Sequence, residues 1–194
     1  MTEISDELRG IAKYIASAFG VSKPPIARYW DDNHESDIFV LQAEDCPQLG
    51  VTAYATVGLC SHEMVFNGAP FRTRVELVGA CGSAYPNFDN ILATLAFNVI
   101  NSNWFCAPGI IFPDVISMYG SSTTMSDIYF TYPFLWDKGL CSTRLMGKDV
   151  AWLLAVPISR SETEYARDFG PQQLEELFEE SNVDIFNLNR QSVV

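Results

Sequence analysis

Three segments within the stretch 51–100 decide the fold: Val51-Thr-Ala-Tyr-Ala-Thr-Val57, Phe71-Arg-Thr-Arg-Val-Glu-Leu77, and the run that opens at Pro86-Asn-Phe-Asp89. The first is dense in β-branched and aromatic residues and closes on Gly58, which predicts a strand. The second alternates with period two. Phe71, Thr73, Val75 and Leu77 fall on one face, and Arg72, Arg74 and Glu76 on the other, which predicts a half-buried strand with a polar side. Asn67-Gly68 supplies a turn between them. In the third, Ile91, Leu92, Leu95, Ala96 and Val99 recur at three- and four-residue spacing, so one stripe of a helix is built to lie on an apolar surface. A helix laid over an antiparallel strand pair is a folding unit of an α+β protein, not an activity.

Outward from that unit, Ser5 predicts the N-cap of a first helix with Leu8, Ile11, Ala12, Ile15 and Phe19 on its apolar face and Gly20 as its stop. Pro24-Pro25 blocks continuation. Ile38-Phe-Val-Leu41 reads as a short buried strand, and Asp45-Cys-Pro47 to Gly50 as a turn. Beyond the central helix, Asn101 to Asn103 marks an exit. Pro108-Gly109 and Phe112-Pro113 then break the chain, leaving Val115-Ile-Ser-Met118 as an edge strand. Ser121 to Thr124 is a polar loop and Ile128-Tyr-Phe-Thr-Tyr132 a strand ended by Pro133. Ala151-Trp-Leu-Leu-Ala-Val156 is almost wholly apolar, as a strand covered on both faces requires, and Pro157 ends it. Ser159 or Ser161 begins a short helix. Pro171 begins a last one, with Leu174, Leu177 and Phe178 inward and Glu175, Glu176, Glu179 and Glu180 outward. Helices packed on a mixed, mostly antiparallel sheet give an α+β fold, read as a single domain over residues 1–194.

Composition narrows the function. The 24 acidic residues against 12 basic ones leave a formal net charge of −12, a field that repels a phosphate backbone and speeds capture of a basic partner. Nucleic-acid binding is therefore not expected. The 5 cysteines, at 46, 60, 81, 106 and 141, are odd in number and form no CxxC pair, which argues for reduced thiols in a cytoplasmic protein. Met1 to Asp6 is polar and acidic, unlike a secretory leader, and no apolar run is long enough for a membrane span.

The sharpest catalytic pattern is Gly58-Leu-Cys-Ser-His62. On an extended backbone Cys60 and His62 share a face, the raw material of a thiol–imidazole pair, although no third orienting residue accompanies them. A Ser–His–Asp hydrolase lacks its GxSxG elbow. The carboxylates at 31, 32, 35 and 37 miss the calcium-loop pattern, and Gly79-Ala-Cys-Gly82 is followed by no phosphate-binding lysine. The reading is thus a non-enzyme with no catalytic residue, metal or cofactor. Two acidic groups remain as candidates for partner binding: Glu175, Glu176, Glu179 and Glu180 on the last helix, and Asp31, Asp32, Glu35 and Asp37 in a segment, Tyr29 to Phe71, that holds no lysine or arginine. The aromatic group Trp104, Phe105, Tyr129, Tyr132 and Trp136 suits either a core or a protein-binding face.

A succession of motifs resembles one family. Tyr54-Ala-Thr-Val-Gly-Leu59, Phe71 to Val78, the helix Asn90-Ile-Leu-Ala-Thr-Leu-Ala96, Trp152-Leu-Leu-Ala-Val-Pro-Ile-Ser-Arg-Ser-Glu162 and Asp184 to Arg190 follow one another as in the Suppressor of fused domain, over residues 25–192. The apolar–Pro–Ile–(Ser/Thr)–x–x–Glu element is the most specific of these. The resemblance implies a non-enzymatic protein-binding domain. Animal members clamp a transcription-factor peptide between two domains, and this chain has no room for the second. Small bacterial members imply an immunity protein that neutralises a polymorphic, often nuclease-like, toxin. The expectation is a cytoplasmic binder of a basic toxin domain, with no membrane and no nucleic acid involved. A Cys60–His62 hydrolase and a peptide-binding adaptor using a strand edge between residues 115 and 132 stand as the alternatives.

Overall fold

The computed structural model describes residues 5–136 and 139–194; residues 1–4, the start of the polar N-terminal stretch, lie outside the described residues. In chain order the elements are α1 (Asp6–Phe19), β1 (Ile26–Trp30), β2 (Asp37–Ala43), β3 (Val51–Val57), β4 (Met64–Phe66), β5 (Ala69–Phe71), β6 (Arg74–Gly82) and α2 (Phe88–Ser102). There follow β7 (Ile111–Phe112), β8 (Asp127–Thr131), β9 (Thr143–Leu145), β10 (Lys148–Ile158), α3 (Arg160–Phe169) and α4 (Pro171–Glu180). One sheet runs β1-β2-β3-β6-β10-β8-β7, with β9 added to β10, while β4 and β5 form a separate hairpin. β6 and β10 are parallel neighbours; the other pairings are antiparallel. The α+β class read from the sequence is the class observed.

The sheet separates two apolar layers. α2 presses Ile91, Leu92, Leu95 and Ala96 against Ile38, Val40, Leu77 and Leu153 on one face. α1 contributes Ile11, Ile15 and Phe19 to the other, with Leu41, Ala53, Val78 and Leu154. Alternate residues of β10 serve the two layers, Leu153 and Ala155 on one side and Trp152, Leu154 and Val156 on the other, which is why its sequence carries no polar face. Gly79 lets α2 sit close: a Cβ there would lie 2.7 Å from the Phe88 ring.

The ends of α1 form as expected. Ser5 Oγ accepts the Leu8 amide at 3.3 Å, and Gly20 takes the left-handed conformation at φ 70°. Five expectations are corrected. The Asn67-Gly68 turn closes the small β4–β5 hairpin and does not join the two central strands, which pair directly from Val51↔Gly82 to Ala55↔Val78. β6 starts three residues later than the alternation suggested and is buried on both faces, so Glu76 lies inside and not on a wet side. Val115–Met118 forms no strand: Val115 and Ile116 turn into the core ahead of a 3-10 turn, Ser117–Tyr119, and the sheet edge is β7. β8 is flanked by β10 and β7, so it offers no free edge to a peptide. Pro157 does not stop β10, which runs to Ile158. β1 and β9 escaped the sequence reading because both are short, β1 being largely exposed and β9 half-buried. Among the described residues, no helix is long and apolar enough to cross a membrane.

Candidate functional site

α4 begins with Pro171 in its first turn, behind Gly170 at φ 101°. Leu174 is fully buried, and its neighbour Glu175 reaches β8. There Glu175 Oε1 accepts the Tyr129 hydroxyl at 2.9 Å and the Thr131 hydroxyl at 2.6 Å. Glu175 is therefore half-buried and anchored, not a member of a wet outer face. Glu176, Glu179 and Glu180 are exposed as expected. The Tyr129 hydroxyl is pushed far up, by burial first and the Glu175 carboxylate second, so it stays a donor across the physiological range.

Past α4 the chain doubles back. The Val183 amide bonds the Phe178 carbonyl at 3.1 Å, and the Phe186 carbonyl accepts the Gly82 amide at 2.9 Å. Further on, Arg190 is locked by both oxygens of Glu162, at 2.6 and 2.8 Å, and its guanidinium lies 5.2 Å from the centre of the Phe178 ring. This returning segment, α4, β8 and the turn at 132–135 enclose an open cleft of about 580 Å³. Leu135, Phe178, Ile185 and Phe186 give it apolar walls, while Glu175, Glu179 and Asp184 supply carboxylates; among the described residues, none that lines it is basic. At its mouth Tyr132 is 70% and Phe134 55% exposed, unusual for rings of that size beside an apolar cleft. The candidate aromatic group thus divides: Tyr129 and Trp136 are core, whereas Trp104 and Tyr132 face solvent.

The other acidic group is at the opposite end of the sheet. Asp31 Oδ1 accepts the amides of Glu35 and Ser36 at 2.8 and 3.0 Å, and the Ser36 amide leads in holding its carboxyl below the usual range. Asp37 pairs with Arg28 at 2.8 Å. Asp32 and Glu35 point outward. β1 and β8 are five strand steps apart, roughly 24 Å at about 4.8 Å per step, so the two acidic groups do not form one patch.

Cys60 is buried, its amide donates to Glu76 Oε1 at 3.1 Å, and its thiol is pushed far up by burial and then by the Glu76 carboxylate. His62 is exposed, and among the described residues no hydrogen bond joins the two. A buried thiol held in its neutral form is the reverse of an activated nucleophile. Among the described residues, no group of three His, Cys, Asp or Glu side chains is placed to hold a metal ion.

The family profile of the Suppressor of fused protein matches residues 32–191. The chain belongs to the Suppressor of fused family. Immunity protein YqcF of Bacillus subtilis (strain 168) is 45% identical to this Suppressor of fused chain over 193 residues, covering 98% of it and 99% of YqcF. A crystal structure of a Suppressor of fused homologue from Neisseria gonorrhoeae superposes with a TM-score of 0.71 at 18% identity, covering 97% of each chain. The crystal structure of the Sufu–Fu complex gives 0.69 at 13% identity over 96% of this chain and 92% of that one. These two likenesses establish the shared fold.

The sequence reading placed Glu175 and Glu179 correctly on one element, but it missed the cleft they border. Asp184 to Phe186 stood out only as a family motif. Their role depends on the return of the chain against α4, and no local pattern encodes that.

Proposed function

We propose that this chain is an immunity protein that binds a cognate polymorphic toxin, one with a basic, nuclease-like catalytic domain, and neutralises it by occlusion in the cytoplasm. The observation that carries the reading is the end-to-end similarity, at 45% identity, to a protein named for immunity. Two features support it. A net charge of −12 suits capture of a basic domain, because long-range attraction raises the association rate. The cleft beside α4 combines apolar walls, exposed rings and carboxylates, the composition of a protein-binding surface more than of a reaction centre. Cys46, Cys60, Cys81 and Cys106 are buried thiols outside any disulfide, in keeping with a reducing compartment.

Occlusion is stoichiometric, and this separates it from catalysis. Co-expression with a cognate toxin-domain protein, sought among the products of the adjacent genes, is expected to restore growth, and the purified pair to elute as a one-to-one complex lacking toxin activity. Inhibition that needs one copy per toxin molecule agrees with the proposal. Absence of a complex, or inactivation by a small fraction of an equivalent, overturns it.

A further inference from the structure

We infer that the cleft between α4 and the returning 182–186 segment receives an arginine of the protein partner, set beside an apolar residue. This rests on the immunity reading and names the chemistry of its docking site. Glu175 carries the inference. Its Oε1 already accepts both Tyr129 and Thr131, and among the described residues no donor reaches Oε2. The carboxylate is half-buried beside apolar walls, where a charge is poorly hydrated and gains most from a counter-ion. Among the described residues none that lines the cleft is basic, and the Arg190 guanidinium near the Phe178 ring is already held by both oxygens of Glu162. Glu179 and Asp184 add to the negative potential, which favours a cation brought by a partner.

The walls select the kind of cation. Phe178 and Ile185 offer an apolar bed for an aliphatic stem, and Tyr132 and Phe134 stand exposed at the mouth as surfaces on which a planar guanidinium stacks. A fork-shaped donor beside a carboxylate and next to aromatic faces is arginine, whose weaker hydration lowers the cost of entry relative to lysine. At about 580 Å³ the cleft exceeds the needs of one side chain, which leaves room for the neighbouring apolar residue against Leu135 and Phe186. Nothing similar exists at the β1–β2 loop, where Asp31 and Asp37 already have their partners.

The test has two arms. In the first, isotopically labelled protein is titrated with the blocked dipeptide acetyl-Arg-Leu-amide and with its citrulline counterpart, which keeps the shape and loses the charge. Amide shifts at Glu175, Phe178 and Ile185 are expected to saturate with the arginine probe, and to weaken at least about tenfold with citrulline or in Glu175→Gln. Glutamine keeps an acceptor for Tyr129 and Thr131, and an unchanged thermal midpoint confirms that the variant is folded. In the second arm, affinity for the cognate toxin is expected to fall at least about tenfold in Glu175→Gln and to stay level in Glu164→Gln, an exposed site on α3. Both results are required. Equal binding of the two probes, or shifts outside the cleft, overturns the inference. Wild-type affinity for the toxin in Glu175→Gln overturns it too and leaves the immunity reading standing. A wild type that binds no toxin sinks the immunity reading, and the probe titration still decides what the cleft accepts.

Discussion

Glu76 shows how much one side chain can organise. It sits inside the sheet and collects the Thr56 hydroxyl at 2.6 Å and the amides of Gly58, Cys60 and Leu59 at 2.8, 3.1 and 3.3 Å. Those amides belong to the turn after β3, where Gly58 adopts φ 111°, a conformation that disfavours a side chain. Burial nonetheless wins over the donors and raises the Glu76 carboxyl above its ordinary 4.5. The proton is thus held more tightly in the folded than in the unfolded chain. The stability this group contributes is therefore fullest below 4.5 and is lost as pH rises toward the folded value. Glu76→Gln does not titrate. The unfolding free energy of the wild type minus that of Glu76→Gln is expected to decline as pH rises through that window, measured by urea denaturation at stepped pH. A difference that rises with pH would show that the donors outweigh burial. Glu175, the same residue type, is placed by two hydroxyls on Oε1, but it faces a cleft, and among the described residues no donor reaches its other oxygen.

Among the elements, the join between β10, α3 and the C-terminal segment is the tightest polar knot. Ser159 caps α3, and Glu162 returns the bond to the Ser159 amide at 2.9 Å while gripping Arg190 with both oxygens. Arg190 also donates to the Pro157 carbonyl at 3.2 Å. Both charged side chains are buried, so removing one strands the other. Arg190→Ala is expected to lower stability by about 3–5 kcal/mol, read from urea unfolding. The same change should release the segment that walls the cleft. Exchange of the Gly82 amide, bonded to Phe186, is the local readout and should speed up beyond the global loss. A loss below about 1 kcal/mol would place this pair among ordinary surface ion pairs. The start of α3 was readable, because a serine ahead of a helical run, with glutamate three residues on, is a local signal. The partner 28 residues away was not, since a lone arginine in a tail carries no mark of what it will meet.

At the scale of the molecule, the proposed function divides the work: the charge of −12 would set the rate at which a basic partner arrives, and the cleft how long it stays. Reversing Glu176, Glu179 and Glu180 to lysine together is expected to slow association with the toxin roughly tenfold or more at low salt, with the deficit shrinking as ionic strength rises. Stopped-flow association at several salt concentrations checks this, and a salt-independent deficit would assign these residues to direct contact instead. By itself the sequence determined the α+β class, the two-sided burial of β10, the stripe of α2, the helix caps and the acidic field. Each follows from local periodicity, local capping chemistry or simple counting, which need no knowledge of what lies across the fold. Only the tertiary structure decided that Glu76 is buried, that Cys60 is sealed away from His62, and that Glu175 and Asp184 border one cleft. Those outcomes depend on which distant segments share a face of the sheet. Burial and pairing energies are settled there by neighbours remote in the chain, and residue spacing is blind to them.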